Sequence, residues 1–267
     1  MDFFDVSEKV VVITGASGAL GGEYAQMLLK ANAKVVCLDI SVSENISYLE
    51  KKYPNSFIFC STDITSKESI TDSLKKTIES FGYPNVLINN AALDSPPSAP
   101  PEDTGSFENY PESSWDKVLS VNLKGIFLTC QVYGSEMARH SQGSIINVSS
   151  IYGSVSPDQS LYQYLRDEGN EFYKPISYSA SKSGIYNLTR YLATYWAKQG
   201  VRVNTLTLAG VLDDQDQRFL DAYCKRIPIG RMANLDEYNG AILFLSSSAS
   251  SYMTGSNLVI DGGWTAI

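Results

Sequence analysis

The sequence predicts a single α/β domain, doubly wound, in which a parallel β-sheet of about seven strands carries helices on both faces. Short apolar runs alternate with amphipathic helical patterns along almost the whole chain, as in repeated βαβ units. Several runs are rich in valine and isoleucine, which is typical of strands buried on both faces. The predicted strands are Val10–Thr14, Lys34–Asp39, Phe57–Ser61, Val86–Asn89, Ser144–Ser149, Arg202–Leu206 and Leu258–Asp261.

Two of the predicted helices have a distinct apolar face. Ala19–Ala31 follows the first strand, and Tyr178–Gln199 precedes the sixth. In the second helix the apolar side chains recur at helical spacing, at Ile185, Leu188, Leu192, Tyr195 and Trp196. No linker or internal repeat divides the sequence, so residues 1–267 are assigned to one domain.

Two segments interrupt the alternation of strands and helices. Residues 93–111 are rich in proline, which prevents a regular helix, and residues 156–177 are rich in tyrosine and charged side chains. Long irregular segments within a compact domain are frequently binding loops or lids. A tolerated surface insertion is the alternative interpretation of each.

The composition excludes several classes of protein. Hydrophobic residues make up 43% of the 267 residues and charged residues 19%, so a sizeable core is expected and extensive disorder is not. The net charge is −8 and no run of lysine or arginine is present, which disfavours nucleic acids and membrane surfaces as partners. The apolar run Val10–Ile13 is too short for a signal peptide or a membrane span. We therefore expect a cytoplasmic protein.

The cysteines and the single histidine argue against a metal site. The four cysteines are far apart and form no CxxC pair, which is typical of buried free thiols in a reducing compartment. His140 is the only histidine and stands beside Arg139 in a polar stretch, so we interpret it as a solvated residue at a helix end. No metal is predicted.

A glycine-rich turn, Thr14-Gly15-Ala16-Ser17-Gly18-Ala19-Leu20-Gly21-Gly22, follows the first strand and leads into the first helix. A strand, such a turn and a helix in this order present backbone N–H groups to a pyrophosphate, and glycine permits the sharp turn. We interpret the turn as part of a Rossmann-type dinucleotide site, although such turns also occur without ligands. The predicted cofactor contacts here are Gly15, Ser17, Gly18, Ala19 and Leu20.

The end of the second strand indicates which dinucleotide is bound. Asp39 lies there, and a carboxylate at this position accepts hydrogen bonds from the adenosine ribose hydroxyls and repels a 2′-phosphate. This favours NAD over NADP, with a strand-end or capping aspartate as the alternative. Ile40, Asp63 and Ile64 are predicted to lie near the adenosine, but Asp63 is equally well placed to cap the next helix.

Hydride transfer at a carbonyl also needs a group that moves a proton. Tyr178 and Lys182 are four residues apart at the start of a predicted helix, so they share one face. A neighbouring ammonium and an oxidised nicotinamide would lower the pKa of the phenol toward neutrality. A polar helix start is the alternative, because this spacing is common by chance.

The combined pattern resembles the short-chain dehydrogenase/reductase family over essentially the whole chain. The motifs occur in the order Thr14–Gly21, Asn89-Asn90-Ala91, Val121-Asn122-Leu123, Ser149-Ser150, Tyr178 with Lys182, and Asp261-Gly262-Gly263. The resemblance implies that Tyr178 is the general acid/base and that Lys182 binds the nicotinamide ribose and lowers the pKa of the tyrosine, so both are predicted cofactor contacts. Ser150 would bind the substrate oxygen, Asn122 would hold a water that links Lys182 to solvent, and Asn90 and Ala91 would line the adenosine side.

The sequence departs from the family pattern at four places. The glycines stand at positions 15, 18 and 21, a spacing similar to that of the larger sugar-nucleotide-modifying branch, and Ala92 replaces a usual glycine. Ala209-Gly210 replaces Pro-Gly after the sixth strand, which leaves Gly210 and Leu212 as the predicted cofactor contacts of that loop. An insertion near Tyr162–Lys174 separates Ser150 from Tyr178 and must loop out if the two are to meet.

The insertion indicates a polar substrate. Tyrosine and charged side chains suit a hydroxyl-rich ligand better than a steroid or an acyl chain. The last third of the chain is similar to bacterial family members linked to flagellin or surface-sugar modification, which implies an amino-sugar or sugar-phosphate substrate. Arg166, Lys174 and Arg231 are candidates to neutralise a phosphate, and solvated surface charges are the alternative.

The sequence therefore predicts an NAD(H)-dependent oxidoreductase that interconverts a secondary alcohol and a ketone on a polar, sugar-like substrate. One alternative is a sugar-nucleotide epimerase or dehydratase that retains NAD, which the glycine spacing favours and the chain length disfavours. Another is a non-catalytic dinucleotide-binding protein. The family resemblance also implies a homodimer or homotetramer formed through the helices after the fourth and fifth strands.

Overall fold

The computed structural model describes residues 2–97, 99–100 and 103–267. Seven parallel strands form one sheet in the order β3-β2-β1-β4-β5-β6-β7, which confirms the predicted single α/β domain and its fold class. Each predicted strand overlaps an observed one. The strands are β1 Val10–Thr14, β2 Lys34–Asp39, β3 Phe57–Ser61, β4 Val86–Asn89, β5 Gly143–Ser150, β6 Val201–Leu208 and β7 Asn257–Ile260.

The direction of winding reverses between β1 and β4, and this reversal positions the site. The chain passes from β1 outward to β3 and then returns to place β4 on the other side of β1. The loops at the carboxyl ends of β1 and β4 therefore diverge and leave a crevice, which is where open α/β sheets bind ligands.

Helices cover both faces of the sheet. Two π-helical turns, Ser120–Gly125 and Cys130–Gly134, join three short helices after β4 end to end. The helices are α1 Ala19–Lys30, α2 Glu44–Lys52, α3 Lys67–Phe81, α4 Glu112–Leu119, α5 Ile126–Thr129, α6 Ser135–Arg139, α7 Ile151–Ser154, α8 Gln163–Asp167, α9 Ile176–Trp196, α10 Gln217–Cys224 and α11 Asn239–Ser246.

Each face of the sheet has its own apolar core. One core joins α1, α2 and α11 to the sheet through fully buried side chains such as Leu28 and Ile242. The other joins α3 and α9 to the opposite face through Ile70 and Ile185. Burial on both faces explains the continuous apolar runs from which the strands were predicted.

The insertion before α9 builds a third, smaller core. Tyr162 and Phe172 are buried, with ring centres 4.8 Å apart, and they pack with Tyr223 from α10 and with Ile227 and Met232 after it. The insertion is therefore a packed part of the domain. Ser98, Pro101 and Glu102, within the predicted irregular segment 93–111, lie outside the described residues.

Two residues test the sequence-based interpretation of side-chain exposure. His140 is exposed at the end of α6, as expected, and there its ring stacks on Tyr83 at 3.5 Å between ring centres and its Nε2 lies 3.2 Å from Glu136. Tyr195, which the helical pattern groups with core residues, is 61% exposed and stacks on Tyr191. The pattern misassigned it because a tyrosine counts as apolar on either face.

No helix within the described ranges is long and apolar enough to cross a membrane. The same part of the chain contains no group of side chains suited to holding a metal ion. The cysteines are free thiols; three of them are buried, and Cys224 is partly exposed.

Candidate active site

Two adjoining cavities open at the carboxyl edge of the sheet. The first, of about 840 Å³, lies over the ends of β1, β2 and β4 and is lined by four of the five predicted cofactor contacts of the glycine turn. The second, of about 810 Å³, lies over the ends of β5 and β6 and contains Ser150 and Tyr178. Val211, Asp213 and Gln215 line both cavities, so a single wall separates them.

The glycine turn fits a phosphate group closely. Gly15 has a φ of +65°, and a Cβ on Gly21 would lie 2.4 Å from the Gly15 carbonyl oxygen, so both positions require glycine. No side chain caps the N-terminus of α1, which leaves its first turn facing the first cavity at Gly18, Ala19 and Leu20. The positive end of that helix is therefore available to an anion despite the unusual glycine spacing.

Ser17 is the one predicted residue of this turn that does not line the cavity. Its backbone N–H donates to Asp39 at 2.9 Å, and its hydroxyl donates to the Ser41 carbonyl. The second carboxylate oxygen of Asp39 accepts the Ile40 N–H at 2.7 Å. Backbone groups thus hold Asp39 in place at the rim of the first cavity, where Ile40 is also exposed.

Asp63 and Ile64 line the same cavity from the loop after β3. The Asp63 carboxylate accepts hydrogen bonds from the Thr65 N–H and hydroxyl at 2.8 and 2.7 Å, so it closes a local turn. Helix α3 is instead capped by Ser66, which excludes the capping role considered for Asp63. Ile64 is buried and packs closely against Gly125, where an added Cβ would lie 2.7 Å from the Ile64 side chain.

Asn90 and Ala91 connect the end of β4 to the glycine turn. The Asn90 amide donates to the Thr14 and Gly15 carbonyls at 3.2 and 3.1 Å, and the Thr14 hydroxyl accepts from both the Asn90 and Ala91 N–H groups. Both residues line the first cavity. Through these hydrogen bonds the Asn90 side chain fixes the backbone at the start of the glycine turn.

Tyr178 and Ser150 meet on the wall of the second cavity. Ser150 ends β5, and its hydroxyl accepts the Tyr152 N–H at 3.2 Å. The Tyr178 side chain lies close enough to Ser150 for the serine hydroxyl to lower the pKa of the phenol. Tyr178 lies in the first turn of α9 and is half-buried. The insertion between them does not keep them apart, and through Tyr162 and Lys174 it lines the same cavity.

Lys182 lies behind Tyr178, one helical turn along α9. Its Nζ is 5.7 Å from the centre of the Tyr178 ring and donates to the Val148 carbonyl at 3.0 Å. The residue is 2% exposed and lines neither cavity. Burial lowers its pKa to about 8, with the negative charge of Asp94 opposing that shift.

Asn122 is fully buried in the first π-helical turn, close to α9. Its side chain bonds both backbone groups of Leu93 and donates to the Ser181 hydroxyl at 3.2 Å. It has no direct hydrogen bond to Lys182 among the described contacts. A water link between the two stays a prediction.

Comparison with known proteins places this geometry in a family. The protein-family model described as enoyl-(acyl carrier protein) reductase matches residues 15–265 of this chain. The NAD-dependent glycerol dehydrogenase of Listeria innocua is 31% identical, and the alignment covers 98% of this chain and 96% of that protein. The chain belongs to the short-chain dehydrogenase/reductase family. It is an oxidoreductase, as the named relatives are dehydrogenases and reductases.

Two further relatives bear on the expectations from sequence. The post-translational flagellin modification protein A of Campylobacter coli is 30% identical, with 97% of this chain and 99% of that protein covered. A short-chain dehydrogenase from Leptospira borgpetersenii, solved with bound NAD+, has a TM-score of 0.86 and 32% identity and covers 99% of this chain and 96% of its own. The predicted family is confirmed. The chain is similar to a flagellin modification protein, and it is similar to the same degree to a glycerol dehydrogenase.

In this short-chain dehydrogenase/reductase, the surroundings of Tyr178 do not lower the pKa of its phenol as the neighbouring Lys182 alone predicts. Burial raises the pKa of Tyr178 well above its ordinary value, and the negative charge of Asp94 adds to the rise. The hydrogen bond with Ser150 lowers it in part. The protein groups by themselves therefore do not produce the predicted lowering, and a nearby positive charge from an oxidised nicotinamide would act in the opposite direction to burial.

The loop after β6 has fewer free donors than the sequence suggested. The Gly210 N–H donates to the Tyr223 hydroxyl at 3.0 Å, and the Leu212 N–H donates to the Ala233 carbonyl at 2.9 Å. Gly210 lines the second cavity and Leu212 the first. The Gly210 and Val211 carbonyls are also occupied, by the Ala233 N–H at 3.2 Å and the Gln215 side chain at 2.9 Å. What this loop offers a cofactor in the first cavity is therefore the exposed Leu212 side chain.

The three cations proposed for a phosphate have different environments. Arg166 donates to two carbonyls inside the insertion, and Arg231 pairs with Glu237 at 2.6 Å. Lys174 lines the second cavity but is paired with Asp94. None of the three is a free cation facing that cavity.

Sequence reasoning missed Asp94 as a site residue. It stands two residues after the Ala91-Ala92 pair, in a proline-rich segment without a periodic pattern, so the only sequence signal was its position just beyond β4. The structure brings it to the second cavity beside Tyr178.

Proposed function

We propose that the protein is an NAD(H)-dependent dehydrogenase that interconverts a secondary alcohol and a ketone on a polar, polyol-like or sugar-like substrate. The observation that carries the proposal is that Ser150 and Tyr178 line the same cavity, next to the glycine-turn cavity, and lie close enough for Ser150 to affect the pKa of Tyr178. One cavity suits a dinucleotide, and the next, which Tyr178 lines, suits the alcohol.

The residues of the first cavity fit NAD. The close approach of Gly21 to Gly15 leaves backbone at the turn, the uncapped α1 N-terminus favours a pyrophosphate, and Asp39 suits unmodified ribose hydroxyls. Asp39 would repel a 2′-phosphate, which supports NAD over NADP. NAD held by these residues would supply the acceptor for the hydride of the substrate carbon.

The side chains of the second cavity supply the proton chemistry. Ser150 donates a hydrogen bond to the substrate oxygen, and Tyr178 removes the hydroxyl proton as the hydride leaves the same carbon, so that a ketone forms. Lys182 supplies positive charge behind the phenol, and Asn122 holds the backbone between β4 and α9 in place. In the reductive direction Tyr178 returns the proton.

The test is NADH production from a panel of glycerol, tetritols, hexitols and amino sugars. Tyr178→Phe should lower kcat by about 10²–10⁴-fold while NAD binding is retained, because acid/base catalysis typically contributes that factor. Tyr252→Phe, which removes an exposed hydroxyl outside both cavities, is the matched control. NAD that co-purifies with the protein and yields no net NADH from the panel would favour the epimerase or dehydratase alternative.

We also propose that the protein is a cytoplasmic homodimer or homotetramer. Tyr191 and Tyr195 on α9 and Phe127 on α5 are large exposed side chains, and they lie on the two helical segments through which the family is expected to assemble. Light scattering during size-exclusion chromatography measures the assembly directly, and a monomer would contradict it.

A further inference from the structure

An ion pair between Asp94 and Lys174 joins the two irregular segments at the second cavity. Lys174 comes from the insertion before α9, and its side chain is 6% exposed. Its Nζ lies 5.2 Å from the centre of the Tyr178 ring. Asp94 follows β4, and its side chain is 49% exposed. The proposed proton transfer uses neither residue.

The insertion holds Lys174 firmly in position. The Gln159 side chain accepts the Lys174 N–H at 2.9 Å and donates to the Lys174 carbonyl at 3.0 Å. Arg166 in turn donates to the Gln159 carbonyl at 2.7 Å and to the Phe172 carbonyl at 2.8 Å. Burying an unpaired ammonium raises the free energy of the folded state. These hydrogen bonds hold the Lys174 ammonium where the Asp94 carboxylate pairs with it.

The ion pair leaves one oxygen of Asp94 available. Its Oδ1 accepts from the Lys174 ammonium and from the Ser95 N–H at 2.8 Å. Within the described parts of the chain, no group donates to Oδ2. Asp94 lines the same cavity as Ser150 and Tyr178. An ionised carboxylate only accepts hydrogen bonds, so the free oxygen suits a donor such as a hydroxyl and does not suit a carboxylate or phosphate.

We propose that Asp94, oriented by Lys174, binds a second hydroxyl of the substrate, one or two carbons from the hydroxyl that is oxidised. The inference rests on the proposed function and narrows its substrate class to uncharged polyols. The ammonium of Lys174 is already neutralised, so an anionic group gains no free cation there. The exposed carboxylates Asp213 and Asp214 on the cavity wall add to this preference.

The test compares three alcohols on one carbon skeleton: 2,3-butanediol, 1,3-butanediol and 2-butanol. The measured quantity is the ratio of kcat/KM for each diol to that for 2-butanol. Any effect of a substitution on Tyr178 itself appears in every kcat/KM and cancels in the ratio. For at least one diol the wild-type ratio should fall by about tenfold to a hundredfold when Asp94 is removed, as expected for a hydrogen bond to a charged group.

The decisive variant is Asp94→Ala combined with Lys174→Met, because it removes both charges and leaves no unpaired buried lysine. Lys174→Arg, which keeps the positive charge, should preserve most of the preference. Asp158→Asn is the matched control, since Asp158 is an ion-paired aspartate of the same irregular segment, residues 156–177, and lies outside the cavity. Ratios within about twofold of wild type in the double variant would overturn the proposal.

A binding measurement separates this proposal from the function on which it rests. Calorimetric titration of 2,3-butanediol, 1,3-butanediol and 2-butanol into NAD-saturated Tyr178→Phe protein needs no turnover. Tighter binding of a diol that is lost on adding the Asp94→Ala and Lys174→Met changes supports the inference, even if the wild type produces no NADH. Equal binding of all three alcohols overturns it, even if the wild type oxidises them.

Discussion

The Asn122 side chain brackets the backbone of Leu93: its carbonyl oxygen accepts the Leu93 N–H at 2.7 Å, and its amide donates to the Leu93 carbonyl at 2.9 Å. A single amide therefore replaces the strand partner that Leu93 lacks just beyond β4. The same amide reaches the Ser181 hydroxyl, next to Lys182. Through this one residue the end of β4 and the first turns of α9 are held at a fixed separation.

Substitution Asn122→Ala should lower the free energy of unfolding by about 2–4 kcal/mol, because both backbone groups of Leu93 lose their partner in a partly buried position. Urea denaturation measures the change. Asn109→Ala removes an exposed asparagine and should alter stability by no more than about 0.5 kcal/mol. Equal effects of the two substitutions would show that the bracket is unimportant.

Substitution Gly21→Ala should abolish or greatly weaken NAD binding. The new methyl group would lie 2.4 Å from the Gly15 carbonyl oxygen and 2.8 Å from the Ala16 Cα, so the phosphate turn must move. Gly240→Ala is the matched control, because no described atom outside its own helix backbone and chain neighbours lies within 4 Å of its added Cβ, and alanine favours a helix by about 1 kcal/mol. NADH fluorescence titration reports binding; unchanged affinity in the Gly21 variant would contradict the close contact.

Stability should depend on pH through Lys182. Burial lowers its pKa to about 8, whereas the unfolded value is 10.5, so between these values the unfolded chain binds more protons at this residue. Raising the pH from 8 to 10 should therefore stabilise the wild type by roughly 2 kcal/mol relative to Lys182→Met. The raised pKa of Tyr178 opposes this only above about pH 10 and is present in both proteins. Parallel stability curves for the two proteins would refute the shift.

Asp39 should control the choice of dinucleotide. In Asp39→Ala the ratio of kcat/KM with NAD to that with NADP should fall by about tenfold or more, since a charged acceptor of the ribose hydroxyls is lost and the repulsion of a 2′-phosphate disappears. Asp63→Ala tests whether any carboxylate of the same cavity has this effect. If the ratio of kcat/KM with NAD to that with NADP is unchanged in Asp39→Ala, then other residues determine the choice of dinucleotide.

Periodic features were the ones that the sequence predicted well. The strands were identified because burial on both faces imposes continuous apolar runs, and all seven appear in one parallel sheet. Tyr178 and Lys182 were placed on one face by their helical spacing, and the structure has both beside Val148 and Ser150 at the end of β5. These inferences needed only local geometry.

Features that depend on distant contacts could not be predicted. The π-helical turn that carries Asn122 has no pattern distinct from an α-helix. Asp94 and Lys174 are 80 residues apart, and their pairing depends on how the insertion folds around Arg166 and Gln159. The occupied N–H of Leu212 likewise results from a contact with Ala233, which no local motif announces.

The wall shared by the two cavities has a consequence for kinetics. Val211, Asp213 and Gln215 face both spaces, so a dinucleotide in the first cavity shapes the surface that an alcohol meets in the second. An alcohol that bound first would meet a cavity wall that the dinucleotide does not yet complete. We therefore expect an ordered sequence in which the dinucleotide enters first and departs last, which product-inhibition patterns distinguish from random entry.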